Sequence, residues 1–456
     1  MFDLIVIGGG AGGVASALRV SQLGGKVAVV EGRELGGVCI NRGCVPTKFF
    51  AGAADLLHQT KHAERYGIES QEAHFDLAKL VEKKQTLVNE MRRGTEELLK
   101  TRGVEIVRGA GRLESQQHVH VNGRELTGRN FLVATGSLPS KPDIKGAEVQ
   151  GVISSEDALD LQDLPKRMLI LGGETVGLEL ASIFSRFGVA VTVVEKNPRI
   201  LVNEDHETAQ RLTLAMRRSG VAIEVGAEVA SIRSENGTLF LTLVTSKGEK
   251  RIAVDRVVFS QRTPQIEGLN LPSLGIGTEG TWIKVNRQLR TVVPSVYAIG
   301  DVAGGGYSHV ASAQGMVVAD CVMGREGVWE DRFVPRGIYT RPEAASVGMT
   351  QSEAEQKGIE IVVGKIPYAT NARAMTLGDT AGAVKIIAGA RYREVLGVHI
   401  VGPHATELIS EAALAVKVET VLEDFIQSIR LHPTLSESLG EAARDALGEA
   451  LYVPKR

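Results

Sequence analysis

The feature that most constrains this fold is an internal repeat of one glycine-rich unit. The segment 4–31, LIVIGGGAGGVASALRVSQLGGKVAVVE, aligns with 168–195, MLILGGETVGLELASIFSRFGVAVTVVE. Each copy reads as a buried strand, a turn, a helix and a second strand that ends in an acid. The step from Gly8 to Glu31 is 23 residues, as is the step from Gly172 to Glu195. The repeat predicts two dinucleotide-binding units in one α/β chain.

The turn of the first copy has the spacing of a phosphate-binding loop. Gly8, Gly10 and Gly13 form G-x-G-x-x-G. The first glycine makes the tight turn, the second admits a pyrophosphate, and the third lets helix and strand pack closely. The helix that follows offers free N–H groups to the anion. Glu31 stands where an acid hydrogen-bonds a ribose hydroxyl, so the first unit is predicted to bind a dinucleotide.

The second copy departs from this pattern at one position. Gly172 and Gly177 keep the first and third glycines, but Glu174 replaces the second. Its carboxylate would face the pyrophosphate, a repulsion of about 1–4 kcal/mol per charge pair at about 4 Å. Either Glu174 turns into solvent and the site binds with modestly weaker affinity, or it binds NAD poorly or in another pose. Glu195 favours a ribose 2′-hydroxyl and therefore NAD over NADP.

Two of the three cysteines, Cys39 and Cys44, lie close together in GGVCINRGCVPTK. In a regular helix five residues turn by about 500°, so a disulfide needs the neighbouring glycines to distort the first helical turn. Closing so short a loop stabilises little, which argues against a structural staple. No second Cys/His pair completes a zinc site, and no metal is expected. A redox-active disulfide is favoured over two ordinary buried cysteines.

The composition is that of a globular protein without an obvious charged partner. A length of 456 residues predicts two to four domains. A net charge of −2 gives no basic surface for nucleic acid. The chain enters its first strand directly and has no apolar run of spanning length, so neither a signal peptide nor a membrane partner is expected. Three cysteines in so long a chain fit a reducing compartment, and the expected location is the cytoplasm.

Other segments give weaker signals. The apolar period of 75–100 predicts a long amphipathic helix without chemistry. Ala134, Thr135 and Gly136 end a buried strand with a turn. Asp301 also follows a strand, where an acid can hydrogen-bond a cofactor's hydroxylated chain. His309 is either a site residue or an early residue of the next helix.

The C-terminal segment contains a candidate base. His432 precedes Glu437 by five residues in HPTLSE, an arrangement that can pair a base with the acid that orients it. Exposed His and Glu near a terminus are also common. Ser436 is a plausible N-cap of the final helix.

Together, GGVCINRGCVPTK, the doubled nucleotide unit, ATG, YAIGD and HPTLSE resemble the FAD-dependent pyridine nucleotide–disulfide oxidoreductases almost end to end. The resemblance implies an α/β fold with two Rossmann-like dinucleotide-binding domains and a C-terminal α+β dimerisation domain. The expected boundaries are 1–145 and 277–330 for the FAD-binding domain, 146–276 for the NAD-binding domain and 331–456 for the dimerisation domain.

The resemblance also implies catalytic roles. Cys39 corresponds to the thiol that exchanges with substrate, and Cys44 to the thiol that lies against the isoalloxazine. His432 and Glu437 correspond to the base and its partner, which in this family reach the disulfide of the other subunit. A homodimer is therefore expected.

The same resemblance assigns the cofactor sites. Lys48 matches the lysine beside the flavin, and Glu179 matches its ion-pair partner. The other residues expected at the FAD site are Gly8, Gly10, Gly13, Glu31, Ala134, Thr135, Gly136, Asp301 and His309. The residues expected at the NAD site are Gly172, Gly177, Glu195 and Arg262.

The implied activity is oxidation of dihydrolipoamide, free or carried by a lipoylated protein, with FAD and NAD as cofactors. His432 deprotonates the substrate, and the substrate thiolate attacks Cys39. Cys44 leaves as a thiolate, stabilised by the local positive field, and electrons pass through FAD to NAD⁺. Two alternatives are a flavin-bearing subunit that holds a lipoylated protein with weak NAD turnover, which Glu174 favours, and a related disulfide reductase.

Further departures from the family pattern are expected to affect the sites. Gln261 opens a Gln-Arg-Thr-Pro loop where the family has GRxP, next to the nicotinamide nucleotide. Arg430 stands where relatives often carry another histidine. Phe49 and Phe50 replace smaller or aliphatic residues and are expected to reshape the substrate channel.

Overall fold

The computed structural model describes residues 1–69, 73 and 75–453. Up to residue 139 the strands are β1 (Leu4–Ile7), β2 (Val27–Glu31), β3 (Glu105–Arg108), β4 (Gly111–Leu113), β5 (His118–Val121), β6 (Arg124–Thr127), β7 (Phe131–Val133) and β8 (Ser137–Pro139). The α-helices of this part are α1 (Ala11–Gln22), α2 (Gly37–Asn41), α3 (Cys44–Lys61) and α4 (Leu77–Thr101). The helix predicted over 75–100 is therefore present as α4.

The middle of the chain contains the second copy of the repeated unit, and its last strand joins the sheet of the first copy. Its strands are β9 (Val152–Ser154), β10 (Arg167–Leu171), β11 (Ala190–Glu195), β12 (Ala222–Val225), β13 (Ala227–Glu235), β14 (Thr238–Thr245), β15 (Gly248–Val254), β16 (Arg256–Phe259), β17 (Arg262–Pro264), β18 (Thr278–Glu279), β19 (Trp282–Ile283) and β20 (Val296–Ala298). Its α-helices are α5 (Ser155–Ala158), α6 (Thr175–Arg186), α7 (His206–Arg218) and α8 (Ser308–Val322).

The last part alternates strands with short helices. Its strands are β21 (Arg336–Ile338), β22 (Glu343–Gly348), β23 (Ile361–Pro367), β24 (Ala383–Gly389) and β25 (Val395–Gly402). Its α-helices are α9 (Gln351–Gln356), α10 (Ala372–Leu377), α11 (Ala405–Lys417), α12 (Leu422–Gln427) and α13 (Glu437–Ala446).

Two parallel sheets are built on the repeated unit. The first has the strand order β20-β7-β1-β2-β3, and the second has the order β12-β11-β10-β16-β9. All four residues of β1 are buried, as expected for a strand inside a parallel sheet that is covered on both faces. The turns close alike, because Gly8 N–H donates to Val30 at 2.8 Å and Gly172 N–H donates to Val194 at 2.9 Å. The predicted repeat is confirmed at the level of single hydrogen bonds.

The third five-stranded sheet is antiparallel, with the order β21-β22-β25-β24-β23. A row of ion pairs joins it to the loop and helix that follow β11. Glu204 pairs with Arg336 at 2.6 Å, and Asp205 pairs with Lys385 at 2.8 Å. Both carboxylates are buried, so each requires its cation, and separating the second unit from this sheet would leave uncompensated buried charges.

Helices α1 and α8 touch through their backbones, which brings the start of α8 to the first glycine turn. A Cβ on Gly315 would lie 2.4 Å from the carbonyl oxygen of Gly12. A Cβ on Gly12 would in turn lie 2.8 Å from the carbonyl oxygen of Ala311. Only glycine permits this approach, because a backbone atom cannot move aside as a flexible side chain can.

We expect Gly315→Ala to lower the free energy of unfolding by about 2–4 kcal/mol, because the added methyl group forces α1 and α8 apart. Gly94→Ala is the matched control. Gly94 lies inside α4 with open space around its Cα, so alanine should raise stability by about 0.5–1 kcal/mol. Urea unfolding measures both values, and equal changes in the two variants would contradict this account of the α1–α8 contact.

Candidate active site

The first glycine turn leaves open space beside the start of α1. A Cβ on Gly8 would lie 2.3 Å from the carbonyl oxygen of Ala134, and one on Gly13 would lie 2.0 Å from that of Gly8. Packing of the chain therefore requires both of these glycines. A Cβ on Gly10, by contrast, would meet only the Cα of Gly37, at 3.9 Å. The protein itself does not need a glycine there, whereas a pyrophosphate that approaches the backbone does.

The terminal acids of the two units hold their turns in the same way. Glu31 accepts a hydrogen bond from Gly9 N–H at 2.6 Å, and Glu195 accepts one from Gly173 N–H at 2.7 Å. In each copy the other carboxylate oxygen binds the N–H group two residues further on. A carboxylate can accept about four hydrogen bonds, so capacity remains for a ribose hydroxyl.

The carboxyl ends of β1, β7 and β20 meet at one edge of the first sheet. This pairing brings together the Gly8 turn, the 134–136 turn and Asp301, which lies just after β20. Thr135 donates through Oγ1 to the carbonyl of Gln265 at 2.6 Å. The hydroxyl of Ser137 donates to the Asp301 carboxylate. The sheet edge thus collects the Gly8 turn, the 134–136 turn and Asp301, which are part of the set that the sequence proposed for FAD.

Arg262 lies where the first and second units are connected. It belongs to β17, which pairs antiparallel with β8. Its guanidinium donates to the hydroxyl and the carbonyl of Ser137 and to Glu156, each at 2.7 Å. Because Ser137 also contacts Asp301, Arg262 reaches the edge of the first sheet as well as the second unit.

The two cysteines are held in different helices, which differs from the expected distorted helical turn. Cys39 lies in α2, Cys44 is the first residue of α3, and the chain breaks helical geometry at Arg42 and Gly43. Both cysteines are free thiols. A Cβ on Gly37 would lie only 2.7 Å from the Cα of Gly10, so α2 rests on the glycine turn. The thiols are thereby held next to the open space at that turn.

The two thiols differ strongly in acidity. The hydrogen bond from Cys39 lowers the pKa of Cys44 to about 6; burial opposes this shift, while Ser308 and the charge of Lys48 support it. The same hydrogen bond and burial raise the pKa of Cys39. Cys44 is therefore the sulfur that carries a negative charge at neutral pH when the pair is reduced.

Lys48 and Glu179 form an ion pair between α3 and α6. The ammonium nitrogen lies 3.0 and 2.9 Å from the two carboxylate oxygens. Glu179 also accepts a hydrogen bond from Tyr339 N–H at 2.9 Å, and the Lys48 ammonium lies 4.3 Å from the centre of the Tyr339 ring. One turn before this pair on α3, Cys44 is within reach of the lysine's positive field.

The start of α8 supplies two site residues that the sequence analysis missed. Ser308 Oγ lies 3.5 Å from Cys44 Sγ. Its neighbour Tyr307 hydrogen-bonds Thr175 at the start of α6, and burial together with the charge of Glu204 raises the pKa of its phenol. The signal available in the sequence was the position of Ser308, a hydroxyl residue at the start of the helix after YAIGDVAGGG. Only the packing of α1 against α8 shows that this hydroxyl faces Cys44.

His309 is both an early residue of α8 and a neighbour of this cluster. Its Nε2 lies 2.9 Å from the carbonyl of Pro335, and its ring stacks on Tyr307 with the centroids 5.4 Å apart.

His432 and Glu437 form the expected pair. His432 Nδ1 lies 2.8 Å from Glu437 Oε1, and the other oxygen accepts from Thr434 N–H at 2.8 Å. Burial acts to raise the pKa of Glu437, but these two hydrogen bonds outweigh it and hold that pKa below its usual value. The His432 side chain is 73% exposed on the single chain. Ser436 holds the predicted N-cap position of α13, but its side chain contacts Thr434 and makes no capping hydrogen bond.

The second glycine turn keeps the first and third glycines of the motif, and the side chain of Glu174, at the middle position, hydrogen-bonds within the protein. A Cβ on Gly177 would lie 2.2 Å from the carbonyl of Gly172, as in the first copy. Glu174 does not turn into solvent: it is half-buried, and its carboxylate accepts a hydrogen bond from Val202 N–H at 3.3 Å. Burial, with the nearby charge of Glu195, raises the pKa of Glu174.

The other residues that depart from the family pattern, the Phe49–Phe50 pair and Arg430, have structural roles. Phe50 is fully buried, with its ring edge against Phe187 at 6.2 Å, so its own ring belongs to the core, while an effect of the two phenylalanines on the shape of the substrate channel stays a prediction. Phe49 packs against the same core. Arg430 donates to the carbonyls of Phe425 and Ser428 at 3.0 Å and fixes the segment before His432.

In the described residues, no cluster of three or more His, Cys, Asp or Glu side chains could hold a metal ion. The helices in that same part of the chain include none that is long and apolar enough to cross a membrane.

Comparison with known proteins gives matches along the whole chain. The pyridine nucleotide-disulphide oxidoreductase family matches residues 2–316, and the dimerisation domain of that family matches residues 334–443. A dihydrolipoyl dehydrogenase from Thermus scotoductus is 39% identical over 462 residues, covering 100% of this chain and 99% of the relative. One from Bacillus subtilis is 35% identical and covers 99% of both chains.

Two solved structures have a similar fold over nearly the whole chain. LpdA from Mycobacterium tuberculosis has a TM-score of 0.90 at 27% identity and covers 97% of this chain and 99% of its own. The flavoprotein disulfide reductase RclA from Escherichia coli has a TM-score of 0.86, also at 27% identity, over 96% and 99% of the two chains.

These matches confirm the predicted fold class, with two dinucleotide-binding domains and a C-terminal dimerisation domain. They also confirm an FAD-containing, NAD-dependent enzyme similar to dihydrolipoyl dehydrogenases, and the dimerisation domain supports a homodimer. The chain therefore belongs to the pyridine nucleotide–disulphide oxidoreductase family.

Proposed function

We propose that this enzyme oxidises the dihydrolipoyl group of a lipoylated protein through a Cys39–Cys44 disulfide. The observation that carries the proposal is a pair of hydrogen-bonded thiols of unequal acidity, held against an open glycine turn. Two ordinary buried cysteines would not be placed at the cofactor edge of a sheet, with Cys44 exposed and next to a hydroxyl and an ammonium group.

The residues of the first unit fit FAD. The space at Gly10 admits a pyrophosphate, the free N–H groups of α1 point toward it, and Glu31 keeps capacity for a ribose hydroxyl. Asp301, at the carboxyl end of β20, is proposed to hold the hydroxylated chain. FAD held there would supply a two-electron acceptor for the reduced dithiol and a hydride donor for NAD⁺.

The chain's own residues carry the thiol chemistry. His432 of the partner subunit takes one proton from the substrate dithiol, and the resulting thiolate attacks the Cys39 sulfur and breaks the Cys39–Cys44 bond. Cys44 leaves as a thiolate, which Lys48 and Ser308 stabilise. The second substrate sulfur then attacks the first and displaces Cys39, and the proton of that second thiol passes to the Cys39 sulfur. The products are the substrate disulfide, the Cys39 thiol, the Cys44 thiolate and one proton on His432.

The exposed position of His432 supports its action on a second copy of the chain. Next to it, Leu431 is 80% exposed and Ile429 is 99% exposed. Apolar side chains this exposed on one chain are expected to be covered in the dimer. Glu437, ionised through its hydrogen bonds, is proposed to orient the imidazole and stabilise its protonated form.

The same proposal covers the division of the chain and its location. Residues 1–145 and 277–330 form the FAD-binding domain, 146–276 the NAD-binding domain and 331–456 the dimerisation domain. The addition of β20 to the first sheet supports the return segment. The low cysteine content supports a reducing compartment, for which we propose the cytoplasm.

Glu174 favours one alternative, a flavin-bearing subunit that binds a lipoylated protein and turns over NAD slowly. A steady-state assay that supplies dihydrolipoamide, lipoamide, NAD⁺ and NADP⁺ separates the two functions. Efficient reduction of NAD⁺ by dihydrolipoamide supports the enzyme, while thiol exchange without NAD⁺ reduction supports the binding subunit.

We expect Cys44→Ser to keep its flavin but to lose dihydrolipoamide oxidation by about a thousandfold or more, because the disulfide can no longer form. The measurements are the flavin absorbance and NADH production. Cys321→Ser is the matched control, since that thiol donates to the carbonyl of Gly327 and packs against the core of the first unit, and its replacement should leave both readouts unchanged. Retained oxidation in Cys44→Ser would remove the disulfide from the mechanism.

We expect Ser308→Ala to raise the pKa of the Cys44 thiol by about one unit, because the thiolate loses a hydrogen-bond donor worth about 1.4 kcal/mol. The thiolate fraction follows from the pH dependence of iodoacetamide labelling of Cys44 in the reduced protein, read by peptide mass spectrometry. Ser308→Thr keeps the hydroxyl and should keep the parent midpoint. An unchanged midpoint in Ser308→Ala would show that this contact does not stabilise the thiolate.

A further inference from the structure

The second glycine turn carries a titratable group where the first has open space. Glu174 directly precedes α6 and holds the position of Gly10, beside which the first unit leaves room for a pyrophosphate. In the described structure no side chain caps the 12-residue helix α6, so its first N–H groups remain available to an anion. Any nucleotide phosphate bound there must therefore share the turn with the Glu174 carboxylate.

Several titratable groups lie around Glu174. The charges of Glu195 in β11 and of Arg199 and Glu204 in the loop before α7 act on its carboxyl group. The Tyr307 phenol at the start of α8 feels the charge of Glu174, and Arg336 in β21 acts on that phenol and pairs with Glu204. Three carboxylates thus meet two cations and a phenol at one turn.

The three carboxylates are not equally well satisfied. Glu204 is paired with Arg336 at 2.6 Å. Glu195 accepts from the N–H groups of Gly173 and Asn197 at 2.7 and 2.8 Å. Among the residues that the structure describes, Glu174 accepts one hydrogen bond, from Val202 N–H, and it is long at 3.3 Å.

Arg199, the cation whose charge acts on Glu174, does not form an ion pair with it in the described structure. The Arg199 guanidinium donates to the carbonyls of Leu201 and Val202 at 2.6 Å and to that of Glu204 at 3.0 Å. It therefore holds the loop in shape and forms no ion pair with Glu174 in the described structure. Of the three acids, Glu174 loses least when it takes up a proton.

We propose that binding of NAD at the second turn takes up one proton on Glu174, so that the affinity for the nucleotide rises as the pH falls. The proposal rests on the proposed function, because it requires the nucleotide pyrophosphate to lie at this turn. Protonation removes a like charge and turns the carboxylate, which only accepts hydrogen bonds, into an O–H donor for a phosphate oxygen. The position that repels the phosphate at high pH thereby binds it at lower pH.

The sign of the effect follows from linkage. Burial and the neighbouring acids already raise the pKa of Glu174 in the free protein, and the added phosphate charges raise it further in the complex. Between these two pKa values the complex holds one proton more than the free protein. Over that interval the association constant therefore increases as pH falls, by at most about tenfold per pH unit, and it is flat on either side.

The test is calorimetric titration of the FAD-containing protein with ADP-ribose between about pH 5.5 and pH 8. ADP-ribose keeps the pyrophosphate and cannot accept a hydride, and the resident flavin blocks the first site. The parent is compared with Glu174→Gln, which keeps the size of the side chain without the charge, and with Glu174→Gly, which restores the motif. Glu228→Gln, at an exposed carboxylate on β13, is the matched control.

The expected result is an association constant that rises toward low pH in the parent and in Glu228→Gln and stays flat in both Glu174 variants. Glu174→Gly should bind more tightly than the parent at the upper end of the range. A parent profile with the same slope as Glu174→Gln would overturn the proton uptake while leaving the nucleotide site intact. No binding by any of the four proteins at any pH would instead overturn the proposed NAD site itself.

Discussion

The ion pair of Lys48 and Glu179 is the contact at which the three parts of this enzyme meet. Lys48 lies on the helix that begins with Cys44, Glu179 lies on the helix that follows the second glycine turn, and the backbone of Tyr339 leads into the third sheet. Glu179 is almost fully buried, and an uncompensated charge there would cost about 3–5 kcal/mol. The need to neutralise the Glu179 carboxylate therefore fixes the position of α3, and with it Cys44, relative to the second glycine turn.

The two copies of the repeated unit separate what the fold requires from what a ligand requires. In both copies the third glycine is required, because a Cβ there would lie 2.0 or 2.2 Å from a carbonyl oxygen. The first glycine is required at Gly8 by the carbonyl oxygen of Ala134, 2.3 Å from where a Cβ would be, and at Gly172 by its positive φ of 102°. The middle position carries no such demand in the first copy. The chain can therefore tolerate Glu174 without distortion of α6, and we expect its consequences to fall on the proposed nucleotide site and not on the fold.

The acidity of the thiol pair also arises from contacts between distant segments. A hydrogen bond from Cys39, the hydroxyl at the start of α8 and the ammonium of Lys48 converge on Cys44. The close backbone contact of α1 and α8 holds this arrangement in place. A thiol with a low pKa is a good leaving group, which suits a sulfur that must be released when a substrate thiolate attacks its partner.

The sequence by itself determined the parts of this protein that depend on local spacing. The repeat predicted both nucleotide turns to the residue, because strand, turn and helix are encoded by periodicity and glycine position over fewer than thirty residues. The cysteine pair and the His432–Glu437 pair were also visible as short spacings. The tertiary structure alone decided that Cys39 and Cys44 belong to separate helices, that Phe50 lies in the core, that Ser308 faces Cys44 and that Glu174 folds back onto Val202. Each of these depends on which segments pack together, a property of the whole sheet and helix arrangement that no local pattern contains.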